Sequence, residues 1–264
     1  MQTSPNNFSR IFAAFIFFTR LPFWRFHQPP KEAYATVVEH WPLTGWLTGG
    51  IMAATLFGLC HILPLPIAVI LAVIVRLFVT GALHEDGLAD FFDGFGGGTD
   101  RQRILTIMKD SHIGTYGVLA LILYLALLFA TLLSMQPTDA ALTILMADPY
   151  AKMISAQVIQ MMPYARTEET AKSHVVYRKF SWGAGVSLAV QGLLPVALYL
   201  WWMQERVDWQ LVVFLPCLMM YFLYRFIWHR LRGYTGDCCG AIFLLTELTV
   251  YMIVSCSFSM SLLR

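Results

Sequence analysis

Charged residues are scarce in this sequence. Only 13% of the 264 residues are Asp, Glu, Lys or Arg, and 58% are hydrophobic, whereas a soluble domain carries about 25% charged residues. The hydrophobic residues fall in runs of about 20, which is the length of helix that crosses a lipid bilayer. This composition excludes an ordinary soluble domain. It predicts an all-α, polytopic membrane protein, a helical bundle in the lipid bilayer.

An excess of one charge and a cysteine framework are also missing. The formal net charge is only +2, so the sequence offers no bulk electrostatic attraction for nucleic acid and we predict no such partner. The five cysteines include no CxxC pair, and Cys238 and Cys239 are adjacent, which is too close for an ordinary disulfide. A disulfide scaffold and a thiolate metal site are therefore not indicated.

Hydropathy predicts about seven transmembrane helices and one shorter helix before them. The stretch from Phe8 to Trp24 has too few apolar residues to span, so it is predicted to be an interfacial or re-entrant helix. A signal peptide is not indicated, because no small-residue cleavage site follows its apolar run. A single membrane catalytic domain, residues 1–264, accounts for the whole chain. The predicted spans are 43–61, 64–83, 113–135, 140–162, 182–203, 209–229 and 239–262.

Basic residues are concentrated in alternate loops. The positive-inside rule assigns such loops to the cytoplasm, which places the N-terminus inside and the C-terminus outside. The opposite loops hold only Arg206 and Arg264. The cytoplasmic group is Arg10, Arg20, Arg25, Lys31, Arg101, Arg103, Lys109, Arg166, Lys172, Arg178, Lys179, Arg230 and Arg232.

Four of the 16 acidic residues lie in one decapeptide, HEDGLADFFD, which begins a predicted cytoplasmic loop at 84–112. If the segment is helical, Asp86, Asp90 and Asp93 lie within about 60° of one another around the helix. Carboxylate oxygens suit a hard cation such as Mg²⁺, which completes its ligands with substrate phosphates. We therefore predict a Mg²⁺ site for phosphoryl chemistry; a solvated acidic loop is the alternative. The predicted metal ligands are Glu85, Asp86, Asp90 and Asp93.

Three further elements could bind a phosphate or a cofactor. Gly96 and Gly97 lie in a glycine run that could bring backbone N–H groups to a phosphate, although such a run is often only a flexible turn. Arg101 could neutralise a diphosphate, and positive-inside anchoring explains it equally well. Asp237 lies in a Gly-x-x-Gly-Asp-x-x-Gly pattern that opens the last span, where glycines usually serve close helix packing.

A few polar residues interrupt the predicted spans. Glu247 lies about two turns inside the last span and is a candidate to face a cavity, with Arg76 as its partner. Asp148 and Lys152 are spaced to neutralise each other as an i,i+4 pair. The aromatic residues are numerous, and most are predicted to form belts at the membrane interfaces. Examples are Trp41, Trp46, Trp201 and Trp202.

Taken together, these motifs resemble the cobalamin synthase family, the adenosylcobinamide-GDP ribazoletransferases, over the full length of the chain. The acidic motif TGALHEDGLAD carries most of the specificity, and the glycine motifs add to it. The matching segments are 17–22, 80–90, 93–94, 110–114 and 235–241, together with the spaced Pro42, Gly45 and Gly49.

The resemblance implies an enzyme of the bacterial inner membrane whose active site faces the cytoplasm. Such an enzyme joins a corrinoid nucleotide, adenosylcobinamide-GDP, to α-ribazole or its 5′-phosphate, releases GMP and requires Mg²⁺. Glu85, Asp86, Asp90 and Asp93 would be its metal-centred catalytic group, and Asp237 would belong to a second element. Further partners would be a second copy of the chain or other cobalamin-pathway enzymes. The alternative function is a membrane cation transporter with the acidic cluster as its ion site.

Overall fold

The computed structural model describes residues 5–166 and 176–261. Within these ranges the chain is helical, and the β-structure is limited to one isolated bridge between Tyr164 and Tyr234. The predicted all-α class is thereby confirmed. Two residues of the charge analysis, Lys172 and Arg264, lie outside the described residues.

Twelve α-helices occur in the described part of the chain. Short 3₁₀ turns at Phe23–Arg25, Val37–His40 and Gln204–Arg206 connect some of them. The helices are α1 (Asn7–Phe18), α2 (Lys31–Tyr34), α3 (Trp41–Leu59), α4 (Leu65–Thr80), α5 (Leu83–Gly97), α6 (Arg101–Lys109), α7 (Thr115–Leu133), α8 (Pro137–Ala156), α9 (Val158–Met161), α10 (Trp182–Met203), α11 (Trp209–Leu231) and α12 (Gly236–Ser261).

Each predicted span coincides with a helix, yet fewer than seven qualify as membrane spans. Within the described ranges, five helical segments are long and apolar enough to cross a membrane, and α4 with α5 makes six if this bent pair is one span. Helix α8 does not qualify, and it contains the buried charges Asp148 and Lys152. The predicted N-terminal helix is α1, an apolar helix of 12 residues.

Helices α8 and α12 form the centre of the bundle. Helix α8 packs against α3, α10 and α12, and α12 also packs against α5, α7 and α11. Close approach of α3 to α8 depends on Gly45 and Gly49, since a Cβ atom at Gly45 would lie 2.6 Å from the Cα atom of Pro149. Small residues are the usual means by which membrane helices pack closely.

A buried salt bridge joins α4 to α12. The guanidinium of Arg76 donates two hydrogen bonds to the Glu247 carboxylate, at 2.9 and 2.8 Å, and the Tyr251 hydroxyl donates a third at 2.9 Å. The predicted pairing of Arg76 with Glu247 is confirmed. Because both charges are fully desolvated, each needs the other as its counter-charge inside the bundle.

A second buried pair joins α8 to α3. The Lys152 ammonium lies 2.6 Å from Asp148, as the i,i+4 spacing predicted, and the Thr48 hydroxyl binds both partners at 2.8 and 2.7 Å. The ring of Phe243 lies 4.8 Å from the Lys152 ammonium and 5.5 Å from the Arg76 guanidinium. Phe243 therefore links the two ion pairs through cation–π contacts.

The chain turns sharply between α4 and α5. Gly81 and Ala82 both have left-handed backbone conformations, with φ angles of 65° and 53°, and the two helices meet at 89°. Glycine adopts this conformation at no steric cost, and here it also makes room for the side chain of Arg20. The predicted loop 84–112 is therefore largely helical, as α5 and α6, and α5 runs almost perpendicular to α4.

The basic loops come together at one end of the bundle. Arg101 donates to the carbonyl of Leu231 at 2.9 Å, and Arg230 donates to the carbonyl of Gly98 at 2.7 Å. Arg206 instead pairs with an aspartate at the start of α8. These contacts agree with the predicted separation of the loops into two sides.

The Arg76–Glu247 bridge provides a test of the core. Replacing Glu247 with Leu leaves the Arg76 guanidinium buried without its counter-charge, and we expect the free energy of unfolding to fall by about 3–5 kcal/mol. The double variant Arg76→Met/Glu247→Leu removes both charges and should recover most of this loss. Denaturant unfolding of the detergent-solubilised protein measures both effects. An unchanged midpoint for Glu247→Leu would show that the bridge contributes nothing to stability.

Candidate active site

A cavity of about 770 Å³, including its open mouth, lies where α1, α3, α5 and α12 meet the segment that follows α9. Its lining consists of polar side chains, the polar wall, and aromatic side chains, the aromatic wall. The polar wall includes Asp86, Arg166, Thr235 and Asp237, and the aromatic wall includes Phe17, Phe18, Trp41, His84, Tyr164 and Tyr177.

Two carboxylates from different helices face this cavity. Asp86 lies in the first turn of α5 and Asp237 in the first turn of α12. The helices can approach closely because a Cβ atom at Gly87 would lie only 3.2 Å from the Cα atom of Asp237, and Gly240 similarly adjoins the backbone of His84. Gly240 of the pattern around Asp237 thus serves close packing, as predicted, whereas Gly236 has open space beside it. The contact of α5 with α12 brings the two carboxylates to one cavity.

Arg166 supplies a cation to the same wall. Its terminal nitrogen donates to the carbonyl of Leu105 at 2.9 Å, while its buried Nε atom has no hydrogen-bond partner among the described residues. A buried N–H group without a partner is costly in a folded protein, so a ligand that accepts its hydrogen bond would be favoured. The sequence marks Arg166 only as one of the basic residues of the predicted cytoplasmic loops, since nothing in the local pattern connects it with the acidic helix.

The segment that contains Arg166 is fixed by backbone contacts. The N–H of Ala165 donates to the carbonyl of Tyr234 at 2.8 Å, and the N–H of Tyr234 donates to the carbonyl of Pro163 at 3.0 Å. Burial raises the pKa of Tyr164 to about 12, so its hydroxyl stays protonated at neutral pH. The cavity wall therefore has a fixed backbone and a neutral tyrosine beside the Arg166 cation.

The aromatic wall is a set of nearly parallel rings. The centroids of Phe18 and Trp41 are 5.3 Å apart, and those of Trp41 and His84 are 6.0 Å apart. The prediction that Trp41 lies in an interface belt is wrong, since only 2% of it is exposed, whereas Trp201 and Trp202 are largely exposed. Trp41 is buried because α1 and α12 cover it with aromatic side chains.

The four predicted metal ligands do not converge. The described residues contain no group of three or more His, Cys, Asp or Glu side chains that could hold one metal ion. Asp86 faces the cavity, Glu85 is buried, and Asp90 is half-buried one turn further along α5. The shared helix face was correctly inferred, but packing on several sides of α5 gives successive carboxylates different surroundings.

Asp93 has a structural contact of its own. Its carboxylate accepts hydrogen bonds from the N–H groups of Gly114 and Gly117, at 2.6 and 2.9 Å. These groups belong to the first turn of α7, where backbone donors lack partners within the helix and the helix dipole favours an anion. Asp93 therefore caps α7 from the neighbouring helix.

Gly96, Gly97 and Arg101 also lie outside the cavity lining. Gly96 and Gly97 belong to the last turn of α5 and do not form the predicted open phosphate loop; a Cβ atom at Gly96 would lie 2.6 Å from the ring of Tyr116. Arg101 donates to two backbone carbonyls, one of them that of Ala165 at 2.7 Å. Arg101 thus stabilises the backbone of a lining segment without lining the cavity itself.

Comparison with known proteins gives a consistent result. A family model described as cobalamin-5-phosphate synthase matches residues 10–255. The chain is 31% identical to an adenosylcobinamide-GDP ribazoletransferase of Leptospira interrogans, over 98% of this chain and 99% of the relative. Relatives of the same name from Leptothrix cholodnii and Vibrio cholerae are 34% and 33% identical, with 91% and 90% of this chain covered and 92% and 90% of each relative. No solved structure matches.

The capping contact of Asp93 leads to a stability test. In the variant Asp93→Asn only one oxygen remains to accept from the start of α7, so one buried N–H group loses its partner. We expect the free energy of unfolding to fall by about 1–3 kcal/mol. The same substitution at the exposed Asp86 is the control and should leave unfolding in denaturant unchanged. Equal stability of both variants would argue against the capping role.

Proposed function

The chain belongs to the cobalamin-5-phosphate synthase family, and we propose that its reaction takes place in the cavity between α1, α5 and α12. Members of this family assemble the nucleotide loop of cobalamin, joining adenosylcobinamide-GDP to α-ribazole with release of GMP. One observation carries the proposal: Asp86 and Asp237, on two different helices, face the same cavity as the Arg166 guanidinium. Such a combination of charges suits a diphosphate substrate and its counter-ion.

The reaction replaces a phosphoanhydride bond of the diphosphate with a phosphate ester bond. An oxygen of a ribazole hydroxyl forms a bond to the phosphorus that carries the cobinamide, and the bond from that phosphorus to the bridging oxygen breaks. GMP leaves with the electron pair of that bond, and the hydroxyl proton passes to a basic oxygen. Phosphoryl transfers of this kind depend mainly on positioning and on neutralisation of charge.

The donor set supports a Mg²⁺ ion held by two carboxylates. Asp86 and Asp237 would hold the ion, and Mg²⁺ typically takes only one or two protein carboxylates, keeps several waters and completes its ligands with substrate phosphates. When bound, the ion supplies positive charge to the diphosphate. This pair replaces the larger set predicted from the sequence, since Asp93 is engaged with the start of α7.

Arg166 and its neighbours would position the diphosphate. The Nε–H of Arg166, which has no partner among the described residues, is a charged donor for a phosphate oxygen. Charge-assisted hydrogen bonds of this type are the stronger ones. The neutral Tyr164 hydroxyl can donate a further hydrogen bond without adding charge. The fixed backbone of residues 163–166 keeps both side chains in place.

The transporter alternative is not supported. An ion pathway would need accessible carboxylates near the middle of the membrane. Glu247 has both carboxylate oxygens engaged, by Arg76 and Tyr251, and it does not line the cavity. Family membership also assigns the chain to transferases.

Membrane location extends the proposal to the orientation of the enzyme. The apolar helices make this a membrane protein, and we propose that it lies in the bacterial inner membrane with its basic end in the cytoplasm. The concentration of Lys and Arg in the loops at this end supports that orientation. The nucleotide substrate would then reach the cavity from the cytoplasm.

Activity measurements test the two cavity carboxylates. We expect Asp86→Asn and Asp237→Asn each to lower the rate of GMP release by about 100-fold, because each removes charge that faces the diphosphate and the metal. Each variant should also need more Mg²⁺ for half-maximal activity. The assay uses detergent-solubilised protein with adenosylcobinamide-GDP and α-ribazole. Chelation of Mg²⁺ should abolish turnover of the wild-type enzyme, and re-addition should restore it.

The matched control is Glu205→Gln. It makes the same change from carboxylate to amide at the exposed turn before α11, away from the cavity, and it should leave GMP release unchanged. If Asp86→Asn and Asp237→Asn retained full activity while folded, the proposed location would be wrong. If the wild-type enzyme turned over without any divalent cation, the metal proposal would fail.

Arg166 provides a separate prediction. Arg166→Lys keeps a positive charge but removes the Nε–H donor, so the KM for adenosylcobinamide-GDP should rise by about tenfold or more. The KM for α-ribazole should change little. Arg103→Lys, an exposed substitution at the same end of the bundle, controls for a general change of surface groups. Equal KM values for these two variants would remove Arg166 from the site.

A further inference from the structure

Two polar side chains in the aromatic wall have buried nitrogen atoms without a hydrogen-bond partner among the described residues. The indole N–H of Trp41 and both ring nitrogens of His84 have no hydrogen-bond partner within the part of the chain that the structure describes. Both side chains line the cavity, and each is at least 97% buried, with exposed fractions of 2% and 3%. Buried polar groups in native proteins are normally satisfied, so these atoms indicate a ligand at this end.

The surroundings of these nitrogen atoms define the chemistry of that ligand. Phe18 lies against both side chains with nearly parallel rings, and the ring centroids of Phe243 and His84 are 4.7 Å apart. A ligand here meets aromatic side chains together with the ring nitrogens of Trp41 and His84. This environment suits a flat, mostly apolar heteroaromatic ring system that carries one or two hydrogen-bonding atoms.

We propose that this aromatic end of the cavity, built by Phe18, Trp41 and His84, is the subsite for the base of α-ribazole. The proposal rests on the function inferred above and states which of the two substrates the aromatic end binds. A benzimidazole base has two fused rings and one free ring nitrogen that can only accept a hydrogen bond. The Trp41 indole N–H can only donate one, so the two groups are complementary.

The other aromatic candidate, the guanine base of adenosylcobinamide-GDP, fits this end less well. Guanine carries several donors and acceptors, and each would need a partner once buried. Of Phe18, Trp41 and His84, which build this end, Trp41 and His84 carry the buried groups without a partner among the described residues. The polar wall, with Arg166 and the two carboxylates, lines the same cavity. A diphosphate bound at the polar wall would lie next to the hydroxyl of a ribazole bound at the aromatic end.

The test removes the hydrogen bond between the Trp41 indole N–H and the free ring nitrogen of α-ribazole, first by changing the ligand and then by changing the protein. On the ligand side, α-ribazole is compared with the matching indole nucleoside, in which a C–H group replaces the free ring nitrogen. On the protein side, Trp41→Phe removes the N–H donor and keeps an aromatic ring. Binding of each nucleoside to detergent-solubilised protein is measured by calorimetry, and the KM values of both substrates are measured by GMP release.

We expect the wild-type protein to bind α-ribazole about tenfold more tightly than the indole nucleoside, the difference of one hydrogen bond. Trp41→Phe should bind both nucleosides equally and should raise the KM for α-ribazole only. The control is Trp46→Phe on the same helix, whose indole N–H already donates to the Gln191 carbonyl at 2.8 Å. This variant should retain the wild-type preference.

Several results would overturn the proposal. One is equal wild-type binding of the two nucleosides, a comparison that needs no variant to fold. Another is a Trp41→Phe variant that keeps the wild-type preference, or one that raises the KM for adenosylcobinamide-GDP instead. Tight, nitrogen-dependent binding of α-ribazole without GMP release would support this subsite and contradict the proposed reaction. Turnover without any nitrogen dependence would do the reverse.

Discussion

The buried salt bridge between Arg76 and Glu247 is the interaction on which the rest of the bundle depends. It fixes the register of α4 against α12, because a shift of either helix would leave a desolvated charge without its partner. The Lys152–Asp148 pair lies within α8 and is joined to α3 by the hydrogen bonds of Thr48. Phe243 contacts both cations and also contacts His84 in the cavity wall. The buried ion pairs therefore also contact, through Phe243, the aromatic end of the site.

Two features of the backbone then bring the reactive groups to one place. The left-handed turn at Gly81 and Ala82 directs α5 almost perpendicular to α4, so the acidic helix does not continue along the bundle axis. The close approach at Gly87 and Gly240 sets the first turn of α5 against the first turn of α12. Both features concern the paths of helices, and together they decide which carboxylates share a cavity.

The resulting site is divided in a way that suits its two substrates. Phosphoryl transfer needs the diphosphate and the attacking hydroxyl to be held together, and it needs charge to be neutralised. A polar wall with Asp86, Asp237 and Arg166 meets the second need. An aromatic wall beside it offers a flat surface for a base, which would hold the attacking nucleoside in position. Apolar and charged surfaces can adjoin here because the charges come from the ends of helices and from the segment after α9.

The sequence by itself determined the membrane class, the positions of the helices, the family, and the pairing of Arg76 with Glu247 and of Asp148 with Lys152. These follow from hydropathy, from local spacing and from the high cost of a lone charge in an apolar bundle. Only the tertiary structure decided which acidic residues share a site. Asp86 and Asp237 are 151 positions apart (237 − 86), and their meeting depends on the path of the chain at Gly81 and on backbone contact at Gly87. The neighbouring Asp93, equivalent in sequence pattern, caps α7 instead, because the packing around each turn of α5 differs and helical periodicity alone cannot specify it.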